Sequence, residues 1–156
     1  ISAMGIARSK DDQPAPNIDL EKYSGKWYEI ARLPSFFERN LDYVTATYTP
    51  NPDGTVKVEN KGVRDSEEKS IVGKAWPVDD THSRLKVQFY WPLTAPYWII
   101  NIDNDYKWAV VGNPNFDFLW ILSRTPKMDE NLYQELVQFS KELGYPVEKL
   151  ERPIQS

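Results

Sequence analysis

The sequence predicts an all-β domain, an eight-stranded antiparallel up-and-down β-barrel with a short helical turn before it and one α-helix packed outside. Three observations support this fold class. Short alternating apolar and polar runs recur between turn signals, aromatic residues that favour strands make up 13% of the chain, and a single segment near the C-terminus has helical spacing. Because eight strands in meander order leave two unpaired edges, closure of the sheet is the favoured arrangement.

Composition excludes several classes of function. With 156 residues the chain fits one domain that is long enough to bury its own core. The net charge of -4 and the scattered basic residues argue against nucleic acid as a partner. No apolar run approaches the roughly 18 residues that span a bilayer. Cysteine is absent and the single histidine, His82, lies in a polar turn, so we expect no metal site and no cofactor.

The first sixteen residues differ from the rest of the chain. Residues 1–16 are small or charged, are interrupted by proline, and lack the apolar stretch of a signal peptide. We predict a disordered leader over residues 1–16, part of it left by an expression vector, and one barrel domain over residues 17–156.

The folded part is organised around its first strand. Residues 17–23 begin with a residue suited to a helix cap and predict a single helical turn. Gly25 then starts an alternating run that carries Trp27 and extends to about Leu33. A large aromatic residue two positions after a glycine indicates a strand that begins at a tightly packed corner.

Seven further strands follow in meander order. The sequence Asn-Pro-Asp-Gly at residues 51–54 is a strong turn signal and joins the first hairpin. The clearest alternation places Leu85, Val87, Phe89 and Trp91 on one face. The seven strands are predicted at residues 43–49, 55–63, 70–77, 85–91, 97–102, 106–111 and 118–123.

The last element has a different period. Asp129 is suited to cap a helix, and Gly144 followed two residues later by proline is suited to end it. We predict one amphipathic helix that packs on the outside of the barrel, and a short trailing strand at residues 147–152. The stripe that faces the barrel consists of Leu132, Leu136, Phe139, Ser140 and Leu143.

Three stretches resemble the motifs of the lipocalin family. Residues 17–32, with Gly-Lys-Trp-Tyr-Glu-Ile-Ala from position 25, are similar to the first motif; residues 104–112 are similar to the second; residues 119–126 are similar to the third. Within the family the chain resembles the bacterial lipocalins most, the Blc-like outer-membrane lipoproteins, with plant temperature-induced lipocalins and apolipoprotein D as relatives. The resemblance extends to about residue 152.

The resemblance implies a closed end and a ligand pocket. In the family the tryptophan of the first motif lies across the closed end and the arginine of the third motif packs on it, which assigns structural closure to Gly25, Trp27 and Arg124. Pocket positions of apolipoprotein D match Tyr48, Arg64, Tyr97 and Trp120. Strand alternation adds Glu29 and Ala31, which share the face of Trp27, and further pocket residues. These are Ala46, Asn60, Phe89, Trp91, Ile99 and Asn101.

The implied pocket is mixed in polarity. Aromatic walls suit an acyl chain or a flat hydrophobic molecule, and Arg64 with its neighbouring tyrosines suits a carboxylate or phosphate near the mouth. Glu29 is the one enzyme-like feature, since a carboxylate inside a barrel has a raised pKa. We see no second carboxylate, nucleophile or histidine beside it, so we expect it to bond internal hydroxyls and expect no enzymatic activity.

The function implied is non-enzymatic binding, storage or transport of a small hydrophobic ligand, a fatty acid or lysophospholipid, linked to membrane maintenance or stress. Two alternatives stay open, a carrier of a retinoid, sterol or pigment and an interaction protein with an incidental cavity. The resemblance implies a lipoprotein on the periplasmic side of the outer membrane, although the sequence as given has neither a signal peptide nor an anchor cysteine.

The expected mouth of the barrel is apolar. Residues 34–40 are too long for a tight hairpin and carry Phe36 and Phe37, as a lid loop at an opening does. With residues 91–97 they form a predicted apolar rim. Such a rim is suited to touch a membrane surface, to receive lipid from it, or to be covered in a homodimer.

Overall fold

The computed structural model describes residues 12–155, and in them eight antiparallel strands close into one barrel. The predicted leader lies outside the described residues as far as residue 11. The strands are β1 Gly25–Arg32, β2 Asp42–Pro50, β3 Val56–Arg64, β4 Glu67–Pro77, β5 Arg84–Gln88, β6 Ala95–Ile102, β7 Trp108–Gly112 and β8 Leu119–Ser123. The α-helices are α1 Leu20–Tyr23 and α2 Glu130–Leu143, and 3-10 turns occupy Phe36–Glu38 and Val147–Lys149.

The predicted fold class is confirmed. Each strand pairs with the next, and β1 also pairs with β8, so the sheet has no free edge. The beginning of β1 and the end of β8 lie at one end of the barrel beside α1. The opposite end carries the segment from β1 to β2 and the connections from β3 to β4, β5 to β6 and β7 to β8. We call this second end the mouth.

The chain builds two apolar layers. The barrel interior is one layer, in which Trp27, Ile99 and Val111 are almost fully buried. The second layer lies between the outer face of the barrel and α2, where Tyr133 and Leu136 pack on Ile100 and Ile121. This separation follows from strand alternation, since successive side chains point to opposite faces.

The predicted C-terminal helix is confirmed together with its ends. The Asp129 carboxylate accepts a hydrogen bond from the Leu132 amide, and Gly144 ends α2 in the left-handed conformation with φ of 117°. The buried face includes Tyr133, which the predicted stripe omitted.

Two irregularities in the sheet change which residues face inward. The register of β1 against β8 shifts between Glu29 and Ala31, so Ala31 lies on the outer layer and Arg32 lies opposite Trp120 inside the barrel. A second shift lies in β6. Strict alternation placed Ala31 and Asn101 inside the barrel, and both predictions are wrong because of these shifts.

The shift in β6 lies between Ile99 and Asn101. Asn101 is paired with Val110, which belongs to the outer layer, while Ile102 is paired with the interior residue Ala109. Residues directly opposite each other in an antiparallel pair share one face of the sheet. Asn101 therefore points away from the barrel interior and its own side chain accepts a hydrogen bond from the Ile102 amide.

Both ends of the described chain are packed on the barrel. Gln13, inside the predicted leader, is buried and its amide nitrogen donates to the Asn113 carbonyl at 2.9 Å. In place of the predicted trailing strand there is a 3-10 turn and a single bridge between Arg32 and Glu151. Gln155 donates to the carbonyls of Glu29 and Val44, which places the last described residue beside β1 and β2.

No helix among residues 12–155 is both long enough and apolar enough to cross a membrane.

Candidate functional site

One end of the barrel is sealed by a tryptophan and an arginine. Trp27 is completely buried and its indole nitrogen donates to the Tyr23 carbonyl at 2.8 Å. The guanidinium carbon of Arg124 lies 3.7 Å from the centroid of the Trp27 ring, so the predicted contact between these two residues is present. Arg124 also donates to three carbonyls, those of Lys22 at 2.8 Å, Lys26 at 3.0 Å and Tyr106 at 3.0 Å.

The position of Gly25 fits this closure. Gly25 has φ of 97°, a conformation that disfavours residues with a Cβ atom. A Cβ atom there would also lie 3.4 Å from an Arg124 guanidinium nitrogen. That distance is an ordinary van der Waals contact, so the positive φ is the reason that glycine is favoured at this position.

A chain of three phenol groups lies above the sealed end. The Tyr97 hydroxyl is 2.7 Å from the Tyr23 hydroxyl and 2.6 Å from the Tyr48 hydroxyl. Three hydroxyl groups hold three protons but make only two bonds with one another, so one O–H group remains able to donate. Burial raises the pKa of each of these tyrosines, which keeps all three as neutral donors.

The phenol chain borders a small apolar cavity. Only about 20 Å³ is available there to the centre of a water molecule, which is room for about one water. The barrel in this form is thus nearly filled by its own side chains, and a larger ligand requires them to move. The apolar part of the wall consists of Leu20, Val56, Val58, Ala75, Leu85, Val87 and Ile99.

A buried charged cluster lies between the cavity and the mouth. The Arg32 guanidinium donates to Glu29 at 2.9 Å and to Glu151 at 3.3 Å, and the side chains of Arg32 and Glu29 are only 4% and 5% exposed. Residues 33–41 join β1 to β2 at the mouth, and we call them the mouth loop. Glu38, on the 3-10 turn of this loop, is also buried, and its carboxylate accepts a hydrogen bond from the Trp120 indole nitrogen at 2.9 Å. We call Glu29, Arg32, Glu38 and Trp120 the mouth cluster.

The mouth cluster changes the protonation of Glu29. Burial raises the pKa of Glu29 well above its ordinary value, the neighbouring Glu38 raises it further, and the hydrogen bond from Arg32 opposes both effects. Burial alone would lower the pKa of Arg32, but its interactions with Glu29, Glu38 and Glu151 together outweigh burial and raise the pKa. The expectation that Glu29 has no second carboxylate beside it and bonds hydroxyls is therefore wrong.

Most of the predicted pocket residues face the interior. Tyr48, Tyr97, Ile99 and Trp120 belong to the interior layer or pack against it, as do Ala46 and Phe89. Asn60 is paired with Ala46 across β2 and β3, so it lies on the same face. Glu29 is paired with the interior residue Leu122. Whether these residues contact a ligand remains a prediction.

Trp91 and Arg64 lie elsewhere than the sequence predicted. The strand β5 ends at Gln88, three residues before Trp91, whose side chain is 84% exposed in the turn that follows. Its assignment to the barrel interior is wrong. The Arg64 guanidinium donates to the carbonyls of Arg39 at 2.8 Å and Phe37 at 3.2 Å. Arg64 therefore holds the mouth loop, and its role toward a ligand head group remains a proposal.

The mouth is surrounded by exposed apolar side chains. Phe36 is 85% exposed and Phe37 is 58% exposed, and the turn after β5 adds Tyr90, Trp91 and Leu93, all at least 68% exposed. These side chains lie in the two segments that the sequence predicted for the apolar rim, residues 34–40 and 91–97, and Tyr90 extends the second segment by one residue. Exposed apolar side chains gathered around one opening are unusual for the surface of a monomer.

Three residues of the site were missed by sequence reasoning. Arg32 faces inward because the strand is irregular, and Glu38 lies in a loop without periodicity, so neither carries a local signal of burial. Tyr23 is different, since an aromatic residue four positions before Trp27 on a short helical turn suggests packing on the sealed end. Among residues 12–155 no group of three or more acidic or histidine side chains is arranged to hold a metal ion.

A closed barrel with one sealed end, an apolar wall and hydrogen-bonding groups inside belongs to the class of barrel proteins that enclose one small ligand. The chain belongs to the lipocalin family, since the model of the lipocalin-like domain matches residues 18–155. Members of this family bind small hydrophobic ligands and are in general binding and transport proteins.

Named relatives cover most of the chain. Temperature-induced lipocalin-1 of Arabidopsis thaliana is 39% identical over 97% of this chain and 87% of its own length. The outer membrane lipoprotein Blc of Citrobacter freundii is 42% identical over 86% of this chain and 77% of its own length. Apolipoprotein D of Bos taurus is 33% identical over 86% of this chain and 75% of its own length. The predicted resemblance is thereby confirmed.

Solved structures show the same fold. Insecticyanin from the tobacco hornworm Manduca sexta matches with a TM-score of 0.77, covering 96% of this chain and 87% of its own, at 19% identity. Apocrustacyanin C1 matches with a TM-score of 0.73, covering 88% and 80%, at 18% identity.

Proposed function

We propose that the protein is a non-enzymatic carrier that binds a fatty acid or lysophospholipid in its barrel. The observation that carries the proposal is the interior itself, an apolar wall beneath a spare phenol donor, sealed at one end by Trp27 and Arg124 and bordered at the other by an apolar rim. Such a ligand places its single chain against the wall and its polar group toward the hydroxyls or the mouth.

The energetics support a flexible chain. Burying about ten methylene groups at about 0.8 kcal/mol each contributes about 8 kcal/mol, from which association and ordering subtract several. Since the ligand-free cavity holds about one water, opening the barrel subtracts further. Since about 8 kcal/mol before these costs corresponds to a Kd of about 1 μM, we expect the Kd of such a ligand to lie above the micromolar range. A flexible chain that passes between movable side chains also fits this filled interior better than the rigid rings of a retinoid, sterol or pigment.

The ligand class is tested by native mass spectrometry and tryptophan fluorescence. We expect a complex of one ligand per protein with a fatty acid and with a lysophospholipid, and a saturable change in fluorescence on titration of either. A sterol and a retinoid are expected to bind at least tenfold more weakly, about 1.4 kcal/mol. Absence of any complex with both single-chain lipids would sink this function, and preference for the rigid ligands would establish the alternative.

Arg64 provides a matched variant for the head group. Replacing it by alanine removes the two bonds to the mouth loop and one cation near the opening. If Arg64 serves an anionic head group, the variant weakens anionic lipids more than neutral ones. If the affinity for anionic and neutral lipids falls equally, Arg64 has no role toward the head group and only holds the mouth loop.

A second candidate function rests on the apolar rim. Phe36 and Trp91 expose more than four fifths of their side chains on the same end of the barrel. We propose that this rim docks on a lipid surface, from which the barrel receives its ligand, and that membrane maintenance or stress is the setting. The names of the relatives, an outer membrane lipoprotein and a temperature-induced lipocalin, support this setting.

The rim is tested by flotation with vesicles. We expect the protein to bind vesicles of phosphatidylethanolamine and phosphatidylglycerol, and the double variant Phe36→Ser, Trp91→Ser to lose about tenfold in partitioning because two apolar groups no longer enter the interface. The matched control Val72→Ser changes an exposed apolar residue on β4, away from the rim. Equal binding by both variants would argue against docking, and self-association that only the rim variant abolishes would instead indicate a homodimer.

By likeness to the bacterial relatives we propose that the full-length protein is a lipoprotein on the periplasmic side of the outer membrane. The native reading frame upstream of residue 1 tests this proposal. A signal peptide that ends at a cysteine supports it, and a coding start without one contradicts it.

A further inference from the structure

We propose that the barrel contains a carboxylate subsite at Trp120 and Arg32, and that Glu38 of the mouth loop occupies this subsite until the carboxylate of a ligand displaces it. The inference rests on the proposed function and deepens it, because it names the anionic group that the ligand carries and the residue that competes with it. Glu38 then competes with the ligand carboxylate for the same donors. A carboxylate ligand therefore binds only when Glu38 leaves the subsite and the mouth opens.

Glu38 lies in the interior although its neighbours in the chain do not. The side chains of Phe36 and Phe37 are 85% and 58% exposed, whereas Glu38 is only 8% exposed. Its carboxylate reaches the interior face of β8 and accepts the indole N–H of Trp120 at 2.9 Å. A carboxylate that a loop inserts into a barrel is costly unless groups inside favour it. The groups around Glu38 therefore define a place where a carboxylate is favoured.

The surrounding groups are those that bind carboxylates. Trp120 donates directly, and the Arg32 guanidinium is close enough for its charge to interact with Glu38. Glu29, whose pKa is raised by burial and by Glu38, supplies an O–H donor when it is protonated. The negative charge of Glu38 also lies close enough to raise the pKa of Tyr48. Tyr48 belongs to the phenol chain that retains a spare donor. A cation, an indole N–H and neutral acids or phenols together suit one carboxylate.

The mouth loop is attached by few contacts that a ligand would have to break. Arg64 donates to the carbonyls of Phe37 and Arg39, and the Phe37 ring lies 5.9 Å from that of Phe118. Phe118 in turn stacks on Trp120 at 5.6 Å with the rings almost parallel. A shift of Trp120 is thereby transmitted to the loop, which couples occupation of the subsite to the position of Phe37.

The filled interior indicates why the competitor matters. Beneath the mouth cluster the cavity has room for about one water, so an acyl chain enters only when the side chains that line the cavity move. A fatty acid carries the same carboxylate chemistry as Glu38 and replaces its contacts without leaving the donors unpaired. An alcohol or an ester of the same chain length carries no charge to replace that of Glu38, so we expect it to bind with Glu38 still on the donors.

The subsite is tested with a short probe that does not depend on the long-chain cavity. In the variant Glu38→Ala, with the indole N–H resonances observed by NMR and Trp120 assigned from Trp120→Phe, we expect hexanoate to shift the Trp120 resonance saturably. Hexanol should leave it unmoved, and wild-type protein should respond at least tenfold more weakly, since the competitor is present. No shift in Glu38→Ala, or an equal shift with hexanol, overturns the inference.

Long-chain ligands give a second measurement. Relative to wild type, Glu38→Ala is expected to bind oleate about tenfold more tightly and oleyl alcohol with little change. Glu68→Ala, which removes an exposed negative charge from the same end of the barrel, is the matched control and should change neither. Equal gains for oleate and oleyl alcohol would show that Glu38 only blocks the mouth, which overturns the carboxylate subsite.

The two hypotheses fail in different ways. If neither wild type nor any variant binds long-chain lipids but hexanoate still shifts Trp120 in Glu38→Ala, the proposed function fails and the subsite stands. If the variant does not fold, the Trp120 resonance of wild-type protein is measured with oleate and with oleyl alcohol. Oleate must shift this resonance because it displaces Glu38, and oleyl alcohol must leave it unmoved. Binding of oleate without that shift overturns the subsite and leaves the proposed function in place.

Discussion

Replacing Arg124 by alanine is expected to lower the free energy of unfolding by about 3 kcal/mol, because the residue combines charged hydrogen bonds with a ring contact. The variant loses three donations to carbonyls at the sealed end and uncovers the face of Trp27. For a chain of this size the melting temperature should fall by about 6–12 °C in thermal denaturation. Ligand affinity at 25 °C should change little, because the cavity lies on the other side of Trp27.

Two matched variants isolate the cause. Arg124→Lys keeps the charge but not the planar fork, and we expect it to lose about half as much stability. Lys107→Ala removes a neighbouring exposed cation from the same end and should stay within about 0.5 kcal/mol of wild type. A loss of ligand affinity at unchanged melting temperature would contradict the structural role assigned to Arg124.

Replacing Arg32 by alanine is the second large effect. The variant leaves Glu29 buried without its cation, and removal of one partner from a buried pair costs about 3–5 kcal/mol. We expect this loss near neutral pH in urea denaturation monitored by fluorescence. The double variant Arg32→Ala, Glu29→Gln should recover part of it, because the uncompensated charge is then absent.

The unfolding free energy that is lost in Arg32→Ala should depend on pH in a defined direction. The pKa of Glu29 in the folded protein is raised by burial and by Glu38, so folding binds a proton between the unfolded pKa, about 4.3, and the higher folded value. The stability that this group contributes is present below the unfolded pKa and is lost as the pH rises through the folded pKa. Without Arg32 the folded pKa rises further.

The difference between Arg32→Ala and wild type should therefore be smallest near pH 4 and grow as the pH rises toward 7. Measurement of the unfolding free energy across this range checks the prediction. In Glu29→Gln the contribution of this carboxylate to the pH dependence should disappear. A difference between Arg32→Ala and wild type that is independent of pH would show that Arg32 acts through packing alone.

Much of the fold was predictable because its signals are local. Alternation of apolar residues, turn sequences such as Asn-Pro-Asp-Gly, and a capped helical segment between Asp129 and Gly144 depend on neighbours in the chain. Closure into a barrel followed from the number and order of the strands. The contact between Trp27 and Arg124 followed from motifs that resemble those of the family.

The polar part of the site was less predictable. Strict alternation places Asn101 inside, whereas the register shift in β6 turns it outward; the shift in β1 brings Arg32 inward in the same way. Trp91 continues an alternating pattern but follows the end of β5 and is exposed. Where a strand bulges or ends is set by its pairing with neighbouring strands, which no local pattern records.

The barrel, its sealed end and its outer helix thus follow from the sequence, since periodicity, turn residues and motifs are carried by residues close together in the chain. The mouth cluster follows from three-dimensional packing alone. Glu38 comes from a loop, Arg32 from beyond a bulge and Trp120 from the last strand, and they meet only when the barrel closes and buries them together. Their burial changes the pKa of Glu29 and presents the donors that we propose a ligand carboxylate takes over.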